Sequence, residues 1–210
     1  VRGDAVSVNV DGSSTFDLVH GNDRHTIHLP LLGVHNVSNA LAAAAAGLAV
    51  GMTLRVIAEA LERVTAKSKW RMESTQLSNG VTVINDAYNA NPDSMAAALV
   101  TLAGFPGVRW AVLGGMRELG DLEQDAHARL GTMCADLGLE HVVCVGSLGE
   151  QIMAGAKAAK HAVWFPDHEL AANYITAKVT GNDFILVKAS RSEGLERLAS
   201  ALVTQIGGVA

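Results

Sequence analysis

The run Asp86-Ala87-Tyr88-Asn89-Ala90-Asn91-Pro92 gathers a carboxylate, a phenol and two amides within seven residues. It follows Val81–Asn85, an apolar stretch that reads as a strand, and precedes a stretch that reads as a helix. Asn91 suits an N-cap, and Pro92 suits the first helical position. Open α/β sheets bind ligands at the carboxyl ends of their strands. The spacing therefore predicts Asp86, Tyr88 and Asn89 on a ligand-facing loop above a helix N-terminus. An aspartate there can accept hydrogen bonds from ribose hydroxyls. The plain alternative is loop and capping chemistry alone, and the run taken by itself favours that alternative.

Two other segments carry related chemistry. In Gly33-Val34-His35-Asn36-Val37-Ser38-Asn39, the two asparagines are three residues apart and share one face at the start of a helix. Their amides can pair with the donor and acceptor edge of a purine, or Asn36 can serve only as an N-cap. In Trp70-Arg71-Met72-Glu73, Arg71 can contact phosphate or ribose; an isolated surface arginine is the alternative. The remaining signals are bland. His25 and His28 sit three apart on an expected strand and face opposite sides. His127, His141, His161 and His168 have no ligand spacing and read as surface or partly buried. Glu118, Asp121, Glu123 and Asp125 read as favourable charges before a helix. Gly114-Gly115 lacks the dinucleotide fingerprint, and Ser190 lacks a nucleophile elbow.

The elements that must position these groups fall into two regions. Within residues 1–30, Val6, Val8 and Val10 alternate with polar residues, and Thr15–His20 and His25–Leu29 flank a Gly21-Asn22-Asp23 turn. The alanine-rich stretch from Asn36 to Val50 reads as a helix, and Leu54, Ile57, Ala58, Leu61 and Val64 mark a second. From about residue 69 the rhythm changes. Val81–Asn85, Trp110–Leu113, His141–Val145, His161–Phe165 and Asp183–Val187 are short apolar runs. Three helical stripes lie among them, over Met95–Leu102, Ala126–Leu137 and Leu195–Leu202. Alternating strands and helices predict a Rossmann-like, mostly parallel α/β sheet over residues 69–210. Residues 1–68 read as the end of another α/β domain, with a core too thin to fold independently.

Composition sets the outer bounds. The 210 residues are 49% hydrophobic and 18% charged, ordinary for a globular chain. The net charge of -5 argues against a nucleic-acid partner. No apolar run reaches transmembrane length and no signal-peptide pattern opens the chain. Cys134 and Cys144 read as buried free thiols of a reducing cytoplasm. The absence of a Met at Val1 suggests a piece of a longer protein.

The three segments, in this order and spacing, resemble the Mur ligase family, and within it the member that adds D-alanyl-D-alanine to a UDP-muramoyl tripeptide. That member carries G-x-H-N-x-x-N-A, R-x-E and D-[SA]-Y-N-A-N-P. Its L-G-D-M-x-E-L-G loop appears here as Leu113–Gly120, and its V-K-G-S-R element as Val187–Arg191. The resemblance spans nearly the whole chain. It implies that residues 1–68 are the C-terminal remnant of a central ATP-binding domain, and that 69–210 are a complete C-terminal domain. It implies ATP and Mg2+ as cofactors, with the main metal ligands upstream of this chain. His35, Asn36 and Asn39 would border the adenine, Arg71 and Asp86 would approach ribose and phosphates, and Tyr88 and Asn89 would line the nucleotide cleft. Lys188, Ser190 and Arg191 would act where the dipeptide and the new bond are handled. The implied reaction activates the tripeptide carboxylate as an acyl phosphate, which the dipeptide amine then attacks. The implied partners are UDP-muramoyl-tripeptide and D-alanyl-D-alanine, in the cytoplasm, with no nucleic acid, no membrane insertion and a monomeric full-length form.

Three residues depart from the family pattern: Gly115 replaces Asp, Trp70 replaces Gly, and Ala189 replaces Gly. No G-x-x-x-x-G-K-[ST] loop occurs in these residues, so the chain alone is expected to be inactive. A domain-closing hinge is expected near Lys67–Arg71. Two other readings compete: a non-catalytic nucleotide- or peptide-binding module of the same fold, and a related amide ligase of the folylpolyglutamate type.

Overall fold

The computed structural model describes residues 1–65 and 68–208. It divides into two compact units, Val1–Lys67 and Ser68–Ala210. The hinge expected near Lys67–Arg71 lies partly outside the described residues.

In the first unit, β1 (Arg2–Val8), β2 (Ser14–His20) and β3 (Asp23–Leu29) form an antiparallel meander. The β2–β3 loop has two residues, because His20 pairs with Asp23. Gly21 takes its first position at φ +58°, the conformation a type II′ turn demands and a Cβ resists. Period-two alternation places Phe16, Leu18, Ile27 and Leu29 on one face. That face packs against α1 (His35–Ala49) through Val37, Ala40 and Ala44, and against α2 (Leu54–Glu62) through Leu54, Ile57 and Ala58. The Thr53 side chain caps α2 by accepting from the Val56 amide.

The second unit is a six-stranded sheet in the order β4-β5-β9-β6-β7-β8. Its strands are β4 (Glu73–Gln76), β5 (Thr82–Asp86), β6 (Arg109–Leu113), β7 (His141–Val145), β8 (His161–Phe165) and β9 (Phe184–Lys188). All are parallel except β4, which pairs antiparallel with β5. The helices are α3 (Pro92–Ala103), α4 (Glu123–Asp136), α5 (Gly146–Gly155), α6 (His168–Thr176) and α7 (Glu196–Gly207). Right-handed crossovers put α3, α4 and α5 on one face and α6 and α7 on the other. The packing of α4 on α5 and of α6 on α7 agrees. Strands β5, β6, β7 and β9 are apolar because helices cover both their faces.

Three elements lie beyond those read from the sequence: β4, α5 and α6. Strand β4 is Glu-Ser-Thr-Gln, exposed throughout, with no apolar alternation to reveal it. Helix α5 packs tightly on α4. A Cβ on Gly131 would strike the Ile152 carbonyl, and one on Gly155 would strike the Ala128 carbonyl. Glycine at these two positions lets the backbones touch.

The order of the sheet creates the site. Strand β9 lies between β5 and β6, and its chain leaves toward α7, whereas β5 and β6 lead toward α3 and α4. Neighbouring connections that depart to opposite faces open a crevice at the carboxyl ends of the strands.

Candidate functional site

At the end of β5 the chain does what the run Asp86–Pro92 predicts. Asn91 caps α3, with its side chain accepting from the Ser94 amide at 2.8 Å while the Ser94 hydroxyl accepts from the Asn91 amide at 3.1 Å. Pro92 is the first residue of the helix. The preceding loop is pinned from β9. Asp86 and Lys188 are register partners on adjacent strands. Lys188 Nζ donates to Asp86 Oδ2 at 2.6 Å and to the Asn89 carbonyl at 3.0 Å. Asp86 Oδ1 accepts from the Met72 amide at 2.9 Å. Both carboxylate oxygens are therefore engaged, although each keeps a second lone pair.

Lys188 is only 3% exposed, so its charge is spent on the loop. Ser190 is buried as well. Its hydroxyl accepts from the Arg117 amide at 2.9 Å and reaches the Ala90 carbonyl at 3.4 Å, and its own amide donates to the Gly115 carbonyl at 2.9 Å. Ser190 thus ties together the segments that follow β5, β6 and β9. In this structure Lys188 and Ser190 hold the loops in place rather than presenting their polar groups to solvent.

Arg71, Tyr88 and Arg191 converge above these ties, together with Trp70. The Arg71 guanidinium lies 4.3 Å from the Tyr88 ring centroid, and that of Arg191 lies 5.4 Å from the same ring and 4.5 Å from the Trp70 ring. Trp70 has φ +60°, left-handed backbone that costs a side-chain-bearing residue about 1 kcal/mol. Two hydrogen bonds hold it there: its amide donates to Glu73 Oε2 at 2.9 Å, and its carbonyl accepts from the Tyr88 amide at 3.0 Å. Asn89 is exposed on the same loop.

The loop after β6 departs from expectation at two points. A Cβ at Gly115 would lie 2.6 Å from Leu148 Cβ, so the volume a side chain would need is filled from α5. His127, read as a surface or partly buried histidine, is fully buried. Its Nε2 accepts from the Met116 amide at 2.8 Å, so that nitrogen carries no proton. Its Nδ1 lies 2.6 Å from the Glu123 carbonyl and donates to it. The imidazole thereby fastens the loop to the start of α4. The four-residue spacing of Glu123 and His127 is visible in the sequence, but it cannot show which loop the ring supports. Arg117 and Glu193, joined at 2.6 Å, are a second tie that sequence spacing does not reveal.

In the first unit, His35, Asn36 and Asn39 occupy the opening turns of α1. Asn36 is not the N-cap, a position held by Val34. Its Nδ2 donates to the Leu32 carbonyl at 2.8 Å, and Asn39 Nδ2 donates to Asn36 Oδ1 at 3.0 Å. Asn39 Oδ1 and the second N–H of each amide keep capacity for a ligand edge. Among the described residues no group of three or more His, Cys, Asp or Glu could hold a metal ion.

Comparison with known proteins places this geometry. The family described as "Mur ligase, glutamate ligase domain" matches residues 70–191. The UDP-N-acetylmuramoyl-tripeptide--D-alanyl-D-alanine ligase of Mycobacterium tuberculosis is 37% identical over 209 residues, a match covering 88% of this chain and 41% of that protein. The protein of the same name from Escherichia coli is 34% identical, covering 94% of this chain and 44% of its own length. The crystal structure of MurF from Acinetobacter baumannii superposes with a TM-score of 0.85 at 33% identity, covering 95% of this chain and 44% of that one. The chain thus spans about two fifths of the length of the curated relatives it matches.

Proposed function

The chain belongs to the Mur ligase family, and we propose that the whole protein is the ATP-dependent ligase that adds D-alanyl-D-alanine to UDP-N-acetylmuramoyl-tripeptide in peptidoglycan precursor synthesis. Residues 1–68 would close its central ATP-binding domain, and residues 69–210 would form its C-terminal domain. The observation that carries this reading is the activity shared by the Mycobacterium and Escherichia relatives, which align with nearly all of this chain. The cytoplasm, where ATP is held, is the compartment this reading requires. Among the described residues no helix is long and apolar enough to cross a membrane. A monomeric full-length form is part of the same reading.

The residues divide into groups that would touch substrate and groups that would hold those in place. Asn39 Oδ1 and the free amide hydrogens of Asn36 and Asn39 offer a purine its complementary edge, beside His35. Asp86 retains lone pairs for a ribose hydroxyl. Arg71 and Arg191 form no ion pair with any described carboxylate, so their guanidinium groups are available to phosphate or carboxylate oxygens. Tyr88 and Asn89 shape the loop around them. Lys188 and Ser190 act through the loops they pin. Phosphoryl transfer from ATP to the tripeptide carboxylate gives an acyl phosphate, and attack by the dipeptide amine then releases phosphate. Such chemistry depends mainly on positioning and charge stabilisation. Because no group of three or more metal-ligating side chains occurs among the described residues, no step is assigned to a metal held by this chain.

The test uses the full-length protein with ATP, UDP-muramoyl-tripeptide and a choice of acceptors. Formation of ADP and the pentapeptide product only with D-alanyl-D-alanine is the expected result. Turnover with glutamate instead would transfer the reading to another amide ligase. The 210-residue chain, which contains no G-x-x-x-x-G-K-[ST] loop, is expected to release no ADP in the same assay.

A further inference from the structure

The second unit presents two guanidinium groups with aromatic rings and no described carboxylate as partners. Arg71 and Arg191 both lie within cation–π range of the Tyr88 ring, and Arg191 also lies over Trp70. The carboxylates two residues beyond each arginine have other partners. Glu193, two residues beyond Arg191, pairs with Arg117, and Glu73, two residues beyond Arg71, accepts from the Trp70 amide. Two cations gathered near one ring repel each other. The negative faces of the rings offset part of that repulsion without consuming the hydrogen-bond donors, which lie in the guanidinium plane. Donors of two such groups suit an anion with several oxygens.

The geometry points to Trp70 as a positioning residue for this pair. Its indole, together with the Tyr88 ring, holds the Arg191 guanidinium at the aromatic ring that Arg71 also contacts, so that the two arginines form a preorganised site for a phosphate-type polyanion. Arg191 starts a short 3-10 turn three residues after the end of β9 and is exposed, so its long side chain has many rotamers to choose from. A flat ring 4.5 Å from its guanidinium carbon removes much of that freedom before any ligand arrives. Position 70 is an unfavourable place for a bulky residue on backbone grounds, since its φ of +60° is one that glycine adopts freely. The ring therefore contributes something that the turn itself does not require. Assigning the anion to a nucleotide phosphate rests on the ligase reading, whereas the positioning of Arg191 by Trp70 does not.

The test uses the 210-residue chain, with inorganic pyrophosphate as the probe. Arginine Nε–H signals are followed by NMR, and affinity is followed by calorimetry. In the ligand-free chain the Arg191 signal is expected to carry a ring-current shift that Trp70→Gly reduces to the Tyr88 contribution and Trp70→Phe largely retains. Pyrophosphate binding is expected to weaken about five-fold in Trp70→Gly and to stay within about two-fold in Trp70→Phe. In an Arg191→Ala background, Trp70→Gly is expected to change affinity no further, because Trp70 acts through Arg191. If the glycine variant folds poorly, the Arg191 ring-current shift and the pyrophosphate binding of the parent chain carry the test. An unshifted Arg191 signal in the parent chain, no pyrophosphate binding by that chain, or an equal Trp70→Gly effect with and without Arg191 would each overturn the proposal. Trp70-dependent binding combined with a full-length protein that ligates no D-alanyl-D-alanine would leave this proposal standing and remove the ligase reading.

Discussion

Asp86 and Lys188 face each other as register partners at the carboxyl ends of β5 and β9, and their side chains close a 2.6 Å ion pair with Lys188 only 3% exposed. The pair joins two strands whose connections leave toward opposite faces of the sheet. Removing one member of a buried pair leaves the other charged and unpartnered, which costs about 3–5 kcal/mol. Lys188→Met and Asp86→Asn are each expected to lower unfolding stability by about 3 kcal/mol. The double variant is expected to lose less than the sum of the two. Urea unfolding of the three variants measures this, and a loss below about 0.5 kcal/mol for either single variant would show that the pair is not a structural tie.

His141 stacks on Trp110 with centroids 3.6 Å apart and on His161 at 4.8 Å. Burial of the ring, aided by the nearby His161, lowers the His141 pKa, against smaller opposing effects of Asp183 and Glu140. The unfolded chain therefore binds the proton more readily than the folded one. Stability is complete above the unfolded value of about 6.5 and falls as pH drops from there through the folded value. His141→Phe keeps the ring and removes the titration. It is expected to flatten thermal stability between about pH 7 and pH 5, and an unchanged slope would refute the assignment.

Glu140 titrates in a different window. Arg109 grips it with Nε at 3.0 Å and a terminal nitrogen at 2.7 Å, and the Arg109 backbone amide adds a third bond at 2.9 Å. The side-chain bonds from Arg109 hold the carboxyl at about 2, well below its ordinary 4.5. The folded state therefore favours the charged form. This contribution is present above the unfolded value and is lost as pH falls toward the folded one. Glu140→Gln is expected to remove stability at pH 7 and to make the remaining stability less sensitive to acid below about pH 4.5. Parallel denaturation curves from pH 7 to pH 2 give the comparison.

Gly155 sets how closely α5 approaches α4. A Cβ there would strike the Ala128 carbonyl on backbone that cannot swing away as a side-chain tip can. Gly155→Ala is expected to destabilise by about 2 kcal/mol even though alanine is the better helix former. Gly138, whose Cβ would meet nothing within 4 Å, supplies the control, because only its φ of +64° resists substitution. A Gly155→Ala protein as stable as the parent would mean that the helices stand further apart.

Much of the architecture was legible along the chain. Short apolar runs separated by helical stripes announced five strands of a mostly parallel sheet, because a strand covered on both faces must be apolar throughout. The Asn91 cap and Pro92 start were equally plain, since capping depends on residues three apart in sequence. Strand β4 was not legible, because an exposed antiparallel edge needs no apolar face. Helices α5 and α6 were obscured for another reason: they are short, ten and nine residues, and glycine or alanine makes up part of each buried face.

The candidate site divides along the same line. The residue types of the site are local facts: a carboxylate, a phenol and amides after a strand, arginines near both ends of the unit, and paired asparagines at a helix start. The sequence by itself determined those groups and the strand ends and helix starts that carry them. Only the tertiary structure decided which groups look inward. It put Lys188 on Asp86 across 102 residues of chain, buried the Ser190 hydroxyl against Ala90 and Arg117, and closed Leu148 over Gly115. It also set Arg191 over Trp70. These contacts depend on β9 inserting between β5 and β6, and no local pattern encodes that insertion. Strand order follows from how all the helices pack on both faces at once, whereas capping and periodicity follow from neighbours a few residues apart.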